Sequence, residues 1–414
     1  MRSLRFLPVL LFLSLSAHAD VLPGFRIDPV ARAQGFVSSV VTDSKNTIYF
    51  STTDGWIYRV DGTAATRVAA LPTHAGGNGG LLGMALLDDD TAVVHYTTWD
   101  AGVGDFARVL DDVVSRVDLH TGAETVIHSF VCDIQNRERG ASSEHHGGNL
   151  TVAPDGAIFV GIGEYGGYIL AQKGDWNAGK IWRIDRSGVA SQWASGMRNP
   201  YDLAWDPELN AIVVSDNGPS AGDEIHIATD GANCGWPFTF GTAAQVENTI
   251  APVYVFPKTV APTGLQRLTG TNPILRRGYL SGAFVTRAIY YLPEGFSDAI
   301  PIIEGFDDYV IDVTEAANGE IVFAGAGMSG TTIYRLSVPQ RGDCNGDGFV
   351  DSRDLIPLEK EIEDGPHTPI RAQEGAYRGS WGCDVNADDT IDKRDLATLR
   401  TLVAPPRRRS VRSR

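Results

Sequence analysis

Residues 150–162 read L-T-V-A-P-D-G-A-I-F-V-G-I, and residues 180–185 read K-I-W-R-I-D. Short runs rich in Val, Ile, Phe and Trp suit half-buried strands, and Pro-Asp-Gly between the first two supplies a tight turn. The same design recurs along the chain. V-V-T-D-S-K-N-T-I-Y-F-S-T with W-I-Y-R-V-D starts at Val40, M-A-L-L-D-D-D-T-A-V-V-H-Y-T with V-S-R-V-D-L at Met84, and L-A-W-D-P-E-L-N-A-I-V-V-S-D with E-I-H-I-A at Leu203. A degraded copy, R-R-G-Y-L-S-G-A-F-V-T-R-A-I-Y-Y-L, starts at Arg276, and D-V-T-E-A-A-N-G-E-I-V-F-A-G with T-I-Y-R-L starts at Asp312. Each unit alone leaves a hydrophobic face uncovered, so six of them bury it by closing into a ring. The expected fold is all-β, a six-bladed β-propeller over residues 25–338. F-R-I-D-P-V-A (Phe25 to Ala31) precedes the first copy and is expected to complete the last blade as its outer strand.

The chain ends read differently. Arg2 and Arg5 precede a short apolar run from Phe6 to Leu15, and Ala17-His18-Ala19 fits a small-x-small cleavage site. Residues 1–19 therefore read as a signal peptide and the protein as secreted, extracellular or periplasmic, with a retained signal anchor as the alternative. No later stretch approaches the roughly 20 apolar residues of a membrane-spanning helix. With 35 Lys and Arg against 51 Asp and Glu, the formal charge of −16 argues against nucleic acid as a partner of the body. The tail R-R-R-S-V-R-S-R, after Pro405-Pro406, has the opposite sign, and residues 405–414 read as a disordered, solvated tail or a sorting or surface-anchoring signal. Four cysteines are compatible with two disulfides. Cys344 and Cys383 sit beside the first residues of two similar acidic loops and are expected to pair, whereas Cys132 and Cys234 either pair or stay buried as thiols.

Glu144 to Leu150, E-H-H-G-G-N-L, runs straight into the inner strand of the third unit, which puts His145 and His146 at one mouth of the central channel. Loops that converge on a rigid ring commonly house catalysis. Histidine suits a general base, and glycine neighbours allow close approach of a ligand to the backbone. From chemistry alone, a base and a merely hydrogen-bonded loop histidine remain equally open. Trp182 and Trp205 read as packing residues. Gly161-Ile162-Gly163 lies between strands without a following helix, which excludes a dinucleotide loop.

Several stretches in order, E-H-H-G-G-N-L-T-V-A-P-D-G-A-I-F-V-G-I-G-E, G-K-I-W-R-I-D, G-M-R-N-P-Y-D-L-A-W-D-P, D-N-G-P-S-A-G-D-E-I and G-A-N-C-G-W-P, resemble the soluble quinoprotein glucose/sorbosone dehydrogenase family. The resemblance is dense between Glu144 and Pro237 and weaker elsewhere. It implies a propeller binding pyrroloquinoline quinone (PQQ) and Ca²⁺, and a sugar substrate that gives hydride to the quinone and electrons to an unknown acceptor. Carried over by position, His145 is the general base and Glu164 its orienting carboxylate, where the family usually has Asp. Arg198 and Asn199 lie beside the quinone oxygens, and Gly218 and Pro219 offer carbonyls to the cofactor's Ca²⁺. Asp223 and Glu224 resemble a second, structural calcium site, although Cys234 replaces the aromatic expected nearby. The basic cluster that many relatives direct at the cofactor carboxylates is missing from the fifth unit, where Arg287 is the best remnant and Arg276 or Arg277 serve less well. His146 has no role in the family and reads as pocket-lining or exposed.

After Val338 the composition changes. D-C-N-G-D-G-F-V-D-S-R-D-L (from Asp343) and D-V-N-A-D-D-T-I-D-K-R-D-L (from Asp384) carry oxygen side chains at loop positions 1, 3, 5, 9 and 12 of a twelve-residue calcium loop. The ligands would be Asp343, Asn345, Asp347, Asp351, Asp354 and the Phe349 carbonyl in the first, and Asp384, Asn386, Asp388, Asp392, Asp395 and the Thr390 carbonyl in the second. Gly348 occupies the sharp turn of the first loop and Asp389 that of the second. Asp at position 12, a helix directly after each loop and the tandem arrangement make residues 339–404 resemble a small α-helical type I dockerin. That resemblance implies a cohesin-like module or scaffold as partner and a place in polysaccharide breakdown. Ser352-Arg353 and Lys393-Arg394, however, replace the usual small-hydroxyl pairs at positions 10 and 11. Three functions compete: a PQQ-dependent sugar dehydrogenase, a calcium-bound propeller that only binds carbohydrate or protein, and a lactonase-type hydrolase drawing acidic ligands from several blades.

Overall fold

The computed structural model describes residues 20–21 and 25–404, apart from 74, 100–108, 133–143, 273–274, 276, 329, 338–339, 346–348, 367–380 and 389. The leader, the basic tail, Arg276, Asp347, Gly348 and Asp389 thus lie outside the described residues. Among the described residues six sheets follow one another along the chain, antiparallel except where Ala232–Asn233 adds in parallel to the edge of the third. Their innermost strands are Val37–Thr42, Leu81–Asp88, Leu150–Val152, Pro200–Asp206, Pro262–Leu268 and Tyr309–Glu315. Arg26–Ala33 pairs with Gly330–Ser337 and closes the ring as the outer strand of the sixth blade, as expected from the sequence. The fifth blade differs from expectation. Its inner strand is Pro262–Leu268, so the stretch from Arg276 supplies its second and third strands, Gly278–Ala283 and Ala288–Pro293.

The recurrent Asp of the first hairpins has a local job. Asp43 Oδ1 accepts the amides of Lys45 and Thr47, Asp155 Oδ1 that of Ala157, and Asp206 Oδ1 those of Glu208 and Leu209. These side chains replace strand partners at the turn. The left-handed residue beyond each is Asn46, Gly156 or Asn210, residue types that tolerate positive φ. Hydrophobic clusters then form between successive blades. Leu81, Met84 and Val94 pack on Ile57 and Tyr49, and Phe159 and Ile181 on Leu203 and Ile212. Phe159 stacks on Trp205 and Phe130 lies against Trp182, so both tryptophans are packing residues.

Where the inner strands converge, Ser39, Gly83, Asn149, Asp202, Gly264 and Asp312 form a buried girdle. Asp312 Oδ2 accepts Val40 N at 2.7 Å and Ser39 Oγ at 2.8 Å, and Asp312 Oδ1 accepts its neighbour's amide, Val313 N, at 2.8 Å. Asp202 Oδ2 accepts Leu265 N at 2.5 Å, and Asn149 Oδ1 accepts Met84 N at 2.9 Å. These side chains tie the sixth blade to the first, the second to the third and the fourth to the fifth, and a cavity of about 290 Å³ lies beyond the girdle. Burial pushes the Asp312 carboxyl up to about 7, and burial together with the Asp312 charge raises Asp202 well above its ordinary value. A carboxyl with a raised folded-state pKa keeps its proton longer in the folded chain, so stability falls as pH rises from about 4 to about 7. Asp312→Asn is expected to flatten that slope. At pH about 4 the variant should be less stable than the wild type by about 1–3 kcal/mol, because the protonated carboxyl still turns two oxygens to its donors whereas the amide turns an NH2 group toward one of them. The deficit should shrink as pH passes about 7. Thermal melts across this range check it, and a constant deficit would contradict the shared titration.

The C-terminal unit has its own core of Cys344, Leu358, Cys383, Val385, Ile391 and Leu399. Helices Leu355–Glu361 and Lys393–Leu402 follow the two acidic loops, and Cys344 is disulfide-bonded to Cys383, as expected. Among the described residues no helix is long and apolar enough to cross a membrane.

Candidate active site and calcium loops

His145 and Tyr165 both have φ of +57°, a left-handed conformation uncommon outside glycine and often kept at functional sites. Tyr165 N donates to the His145 carbonyl at 3.3 Å, and Glu164 N to the Arg198 carbonyl at 2.9 Å, so three separate segments meet at one mouth of the channel. The paired glycines make that meeting sterically feasible. A Cβ on Gly147 would lie 2.1 Å from the Gly161 carbonyl oxygen, and one on Gly148 2.1 Å from that of Tyr201. Their first service is therefore close approach of strand to strand, while both also line the cleft described below.

His145 Nδ1 lies 2.5 Å from Glu164 Oε1, and an Arg198 terminal nitrogen donates to His145 Nε2 at 3.2 Å. A carboxylate accepts and a guanidinium only donates, which fixes the neutral Nδ1–H tautomer with its lone pair on Nε2. Glu164 is fully buried, whereas the His145 side chain is 14% exposed at the mouth. Arg198 also donates to the Asn217 and Gly218 carbonyls at 2.8 and 3.0 Å, and its guanidinium carbon lies 5.7 Å from the Trp236 ring. Asn199 Oδ1 accepts Gly147 N at 3.1 Å. Asp216, not singled out from the sequence, accepts the backbone amides of Arg198 and Asn199 at 2.9 and 2.6 Å. Burial, only partly opposed by the Arg198 amide, pushes its carboxyl up to about 6.

A cleft of about 420 Å³ opens above this cluster, walled by Phe36, Phe284, Tyr201, Gly147, Gly148 and Asn199. Arg287 stands beside it, its guanidinium 4.6 Å over the Tyr309 ring that stacks on Phe284 and bonded to the Asp307 carbonyl at 3.1 Å. Arg277 is instead engaged with Glu208, away from the cleft. Asp223 and Glu224 are occupied by N–H donors. Asp223 accepts the amides of Gly218, Val260 and Ala261, and Glu224 accepts His226 Nε2 and Gly241 N. Their oxygens shape the loop that presents Gly218 and Pro219. One expectation needs correction: His146 is neither exposed nor in the cleft but completely buried. Of the two outcomes expected for Cys132 and Cys234, the structure has the second, buried thiols.

The profile described as Glucose / Sorbosone dehydrogenase matches residues 37–335, which is most of the chain and all six inner strands. The chain belongs to the glucose/sorbosone dehydrogenase family. Residues 341–404 match the Dockerin type I domain. Aldose sugar dehydrogenase YliI of Escherichia coli is 29% identical over 186 residues, covering 39% of this chain and 47% of that protein. Quinoprotein glucose dehydrogenase B of Acinetobacter calcoaceticus is 28% identical over 132 residues, or 24% and 27% of the two chains. The chain thus spans about half or less of these relatives' length. The PQQ-bound aldose sugar dehydrogenase of Streptomyces coelicolor superposes with a TM-score of 0.62 at 21% identity, covering 77% and 99% of the chains, a likeness of fold.

In the dockerin domain the two loops are built alike. Asp354 accepts the amides of Asn345 and Asp351 at 3.0 and 2.8 Å, and Asp395 those of Asn386 and Asp392 at the same distances. Asp351 and Asp392 cap the helical turns that follow. Oxygens of Asp384, Asp388 and Asp395 lie within 4.8 Å of one another, a spacing compatible with one hard cation. Burial raises the Asp395 carboxyl above its ordinary value.

Proposed function

We propose that this dehydrogenase-family propeller is a secreted, PQQ- and calcium-dependent dehydrogenase of aldose-type sugars, carried by its dockerin to a cohesin-like partner in polysaccharide breakdown. The observation that supports it most is the His145 ring at the channel mouth, just before the cleft residues Gly147 and Gly148, with Nδ1–H on buried Glu164 and the Nε2 lone pair met by Arg198. The donor set also fits the cofactor: a cleft of about 420 Å³ with aromatic walls, the Arg198 guanidinium, the Asn199 amide and the Gly218 carbonyl, with Arg287 beside it. Arg198, Asn199 and Arg287 would hold PQQ, and the Gly218 and Pro219 carbonyls its Ca²⁺. When bound, the quinone supplies the hydride acceptor.

The chain's own residues do the remainder. His145 Nε2 takes the proton of the sugar hydroxyl as the C–H bond on the same carbon loses hydride, and the resulting imidazolium is stabilised by Glu164. Arg198 supplies positive charge where oxygen becomes anionic. The Gly218 carbonyl accepts one bond from this guanidinium and keeps a second lone pair for a calcium ion. Two arginines are few for three carboxylates, which favours, as a second reading, a propeller that binds carbohydrate or protein without turnover. The hydrolase reading has less support, because the channel carboxylates Asp202 and Asp312 already accept backbone amides.

Reconstitution with Ca²⁺ and PQQ separates these readings. Bound-quinone absorbance is expected to appear at stoichiometric PQQ, to bleach on adding an aldose, and to couple to reduction of an artificial dye. Absence of binding at saturating PQQ would remove the dehydrogenase reading for this chain and leave the binding propeller.

A further inference from the structure

His146 is completely buried, with its ring centroid 5.1 Å from that of Tyr165, and neither ring nitrogen has a hydrogen-bond partner among the described residues. A buried polar group in that state is costly and marks either a stored strain or a missing ligand. Nδ1 lies 3.4 Å from Asp112 Oδ1, too long for a good hydrogen bond. One donor atom from each of Asp112, Cys132 and His146 lies within 4.8 Å of the others, and all three residues are buried. Donors about 2.0–2.3 Å from a tetrahedral ion are separated by roughly 3.3–3.8 Å, so the cluster needs only a small contraction to hold one.

His95 gives an independent indication. Its Nδ1 lies 2.9 Å from the Gly148 carbonyl and its Nε2 3.2 Å from Asp112 Oδ1. The carbonyl accepts only, so Nδ1 carries a proton, and a neutral His95 would turn an Nε2 lone pair toward a carboxylate oxygen. Asp112 Oδ2 meanwhile accepts the Tyr165 hydroxyl at 2.5 Å. Two acceptors face each other stably only with a positive charge between or beside them.

We propose that Asp112, Cys132 and His146 bind one divalent transition-metal ion of the zinc class, with His95 as the neighbouring candidate for a fourth position. The mixed O, S and N donors favour Zn²⁺ over Ca²⁺ or Mg²⁺, which require oxygen. The Cys132 thiol releases its proton to solvent on binding. Asp112 lies on strand Val109–Asp118 and Cys132 just past Glu124–Val131, both in the second blade, whereas His146 belongs to the loop leading into the third. The ion therefore ties the second blade to the residue after His145, and through the Tyr165 hydroxyl to the residue after Glu164. It is a structural support beneath the base and its carboxylate, and it stands whether or not PQQ binds.

The full chain, stripped with a chelator and returned to excess Ca²⁺ to fill the oxygen-ligand loops, would be titrated with Co²⁺ as a spectroscopic stand-in. One Co²⁺ per chain is expected, with a near-ultraviolet thiolate-to-cobalt charge-transfer band that Zn²⁺ abolishes by displacement. Cys132→Ser should remove the band, and Asp112→Asn should weaken binding by at least about tenfold, the loss that even outer-shell changes produce at metal sites. Cys234→Ser should leave the band in place. Zn²⁺ should raise the melting temperature of the wild type and not that of Cys132→Ser, a readout that holds if His146 variants fold poorly. Absence of any retained metal in the wild type, or a band lost with Cys234 and kept without Cys132, would overturn the site.

Discussion

His145→Ala is expected to lower sugar turnover of the PQQ- and Ca²⁺-reconstituted protein by about 10²- to 10⁴-fold, the contribution of a positioned general base. The fold should survive, because the side chain reaches the mouth of the channel rather than the core. At a φ of +57° alanine, like histidine, carries a Cβ penalty of about 1–2 kcal/mol. PQQ titration should change little, since the polar contacts assigned to the cofactor come from Arg198, Asn199 and Arg287. Glu164→Gln sets the scale beneath it. An amide oxygen can still accept the His145 Nδ1–H, so the tautomer is kept, but the negative charge that stabilises the imidazolium is gone. Its defect should fall between wild type and His145→Ala, and should appear in kcat more than in KM, because the charge matters most as the proton is transferred. Steady-state kinetics of the two variants with one aldose and one dye decide it. Equal and mild losses would mean that the dyad only shapes the loop and that the propeller keeps its fold without this chemistry.

The blades were legible because most of their turns are local. Asp43, Asp155 and Asp206 each bond amides within a few residues, so strand, turn and strand appear together in the sequence. The fifth blade breaks that rule. The loop after Pro262–Leu268 is held by Glu315 of the sixth blade, which accepts Thr269 N at 2.6 Å and Asn272 N at 3.0 Å. A carboxylate more than forty residues away leaves no local mark, so the sequence pattern alone starts the unit at Arg276. His146 departs from expectation for a related reason. Neighbouring loop residues usually share exposure, but the left-handed turn at His145 sends one ring to the mouth and the next inward. Its partners, Asp112 and Cys132, lie in the preceding blade, where nothing in the sequence links them to the histidine pair. The site residues themselves became legible through family resemblance, since the segments carrying His145, Glu164 and Arg198 meet only through tertiary hydrogen bonds.

Asp354→Ala together with Asp395→Ala is expected to abolish calcium binding by the dockerin domain and most of its calcium-dependent helicity. Each residue occupies position 12 of its loop, where a carboxylate is a ligand, and each also accepts amides from both ends of the same loop. The substitution therefore removes a ligand and opens the clamp that brings loop position 3 to position 9. Burial holds Asp395 above its ordinary pKa, so without an ion the loop has less reason to keep a charge there, and calcium affinity should fall as the medium is acidified. The Cys344–Cys383 disulfide links the starts of both loops and should keep the calcium-free domain collapsed, so helix content should fall without complete unfolding. Single variants should each remove one of the two calcium ions, as the matching loop geometry implies. Calorimetric calcium titration and circular dichroism measure these losses, and the propeller's thermal transition should stay where it is. If that transition moved with the helices, the dockerin would be part of the propeller's stability rather than a separately folding tether, and its calcium would then act on the sugar site as well as on a partner.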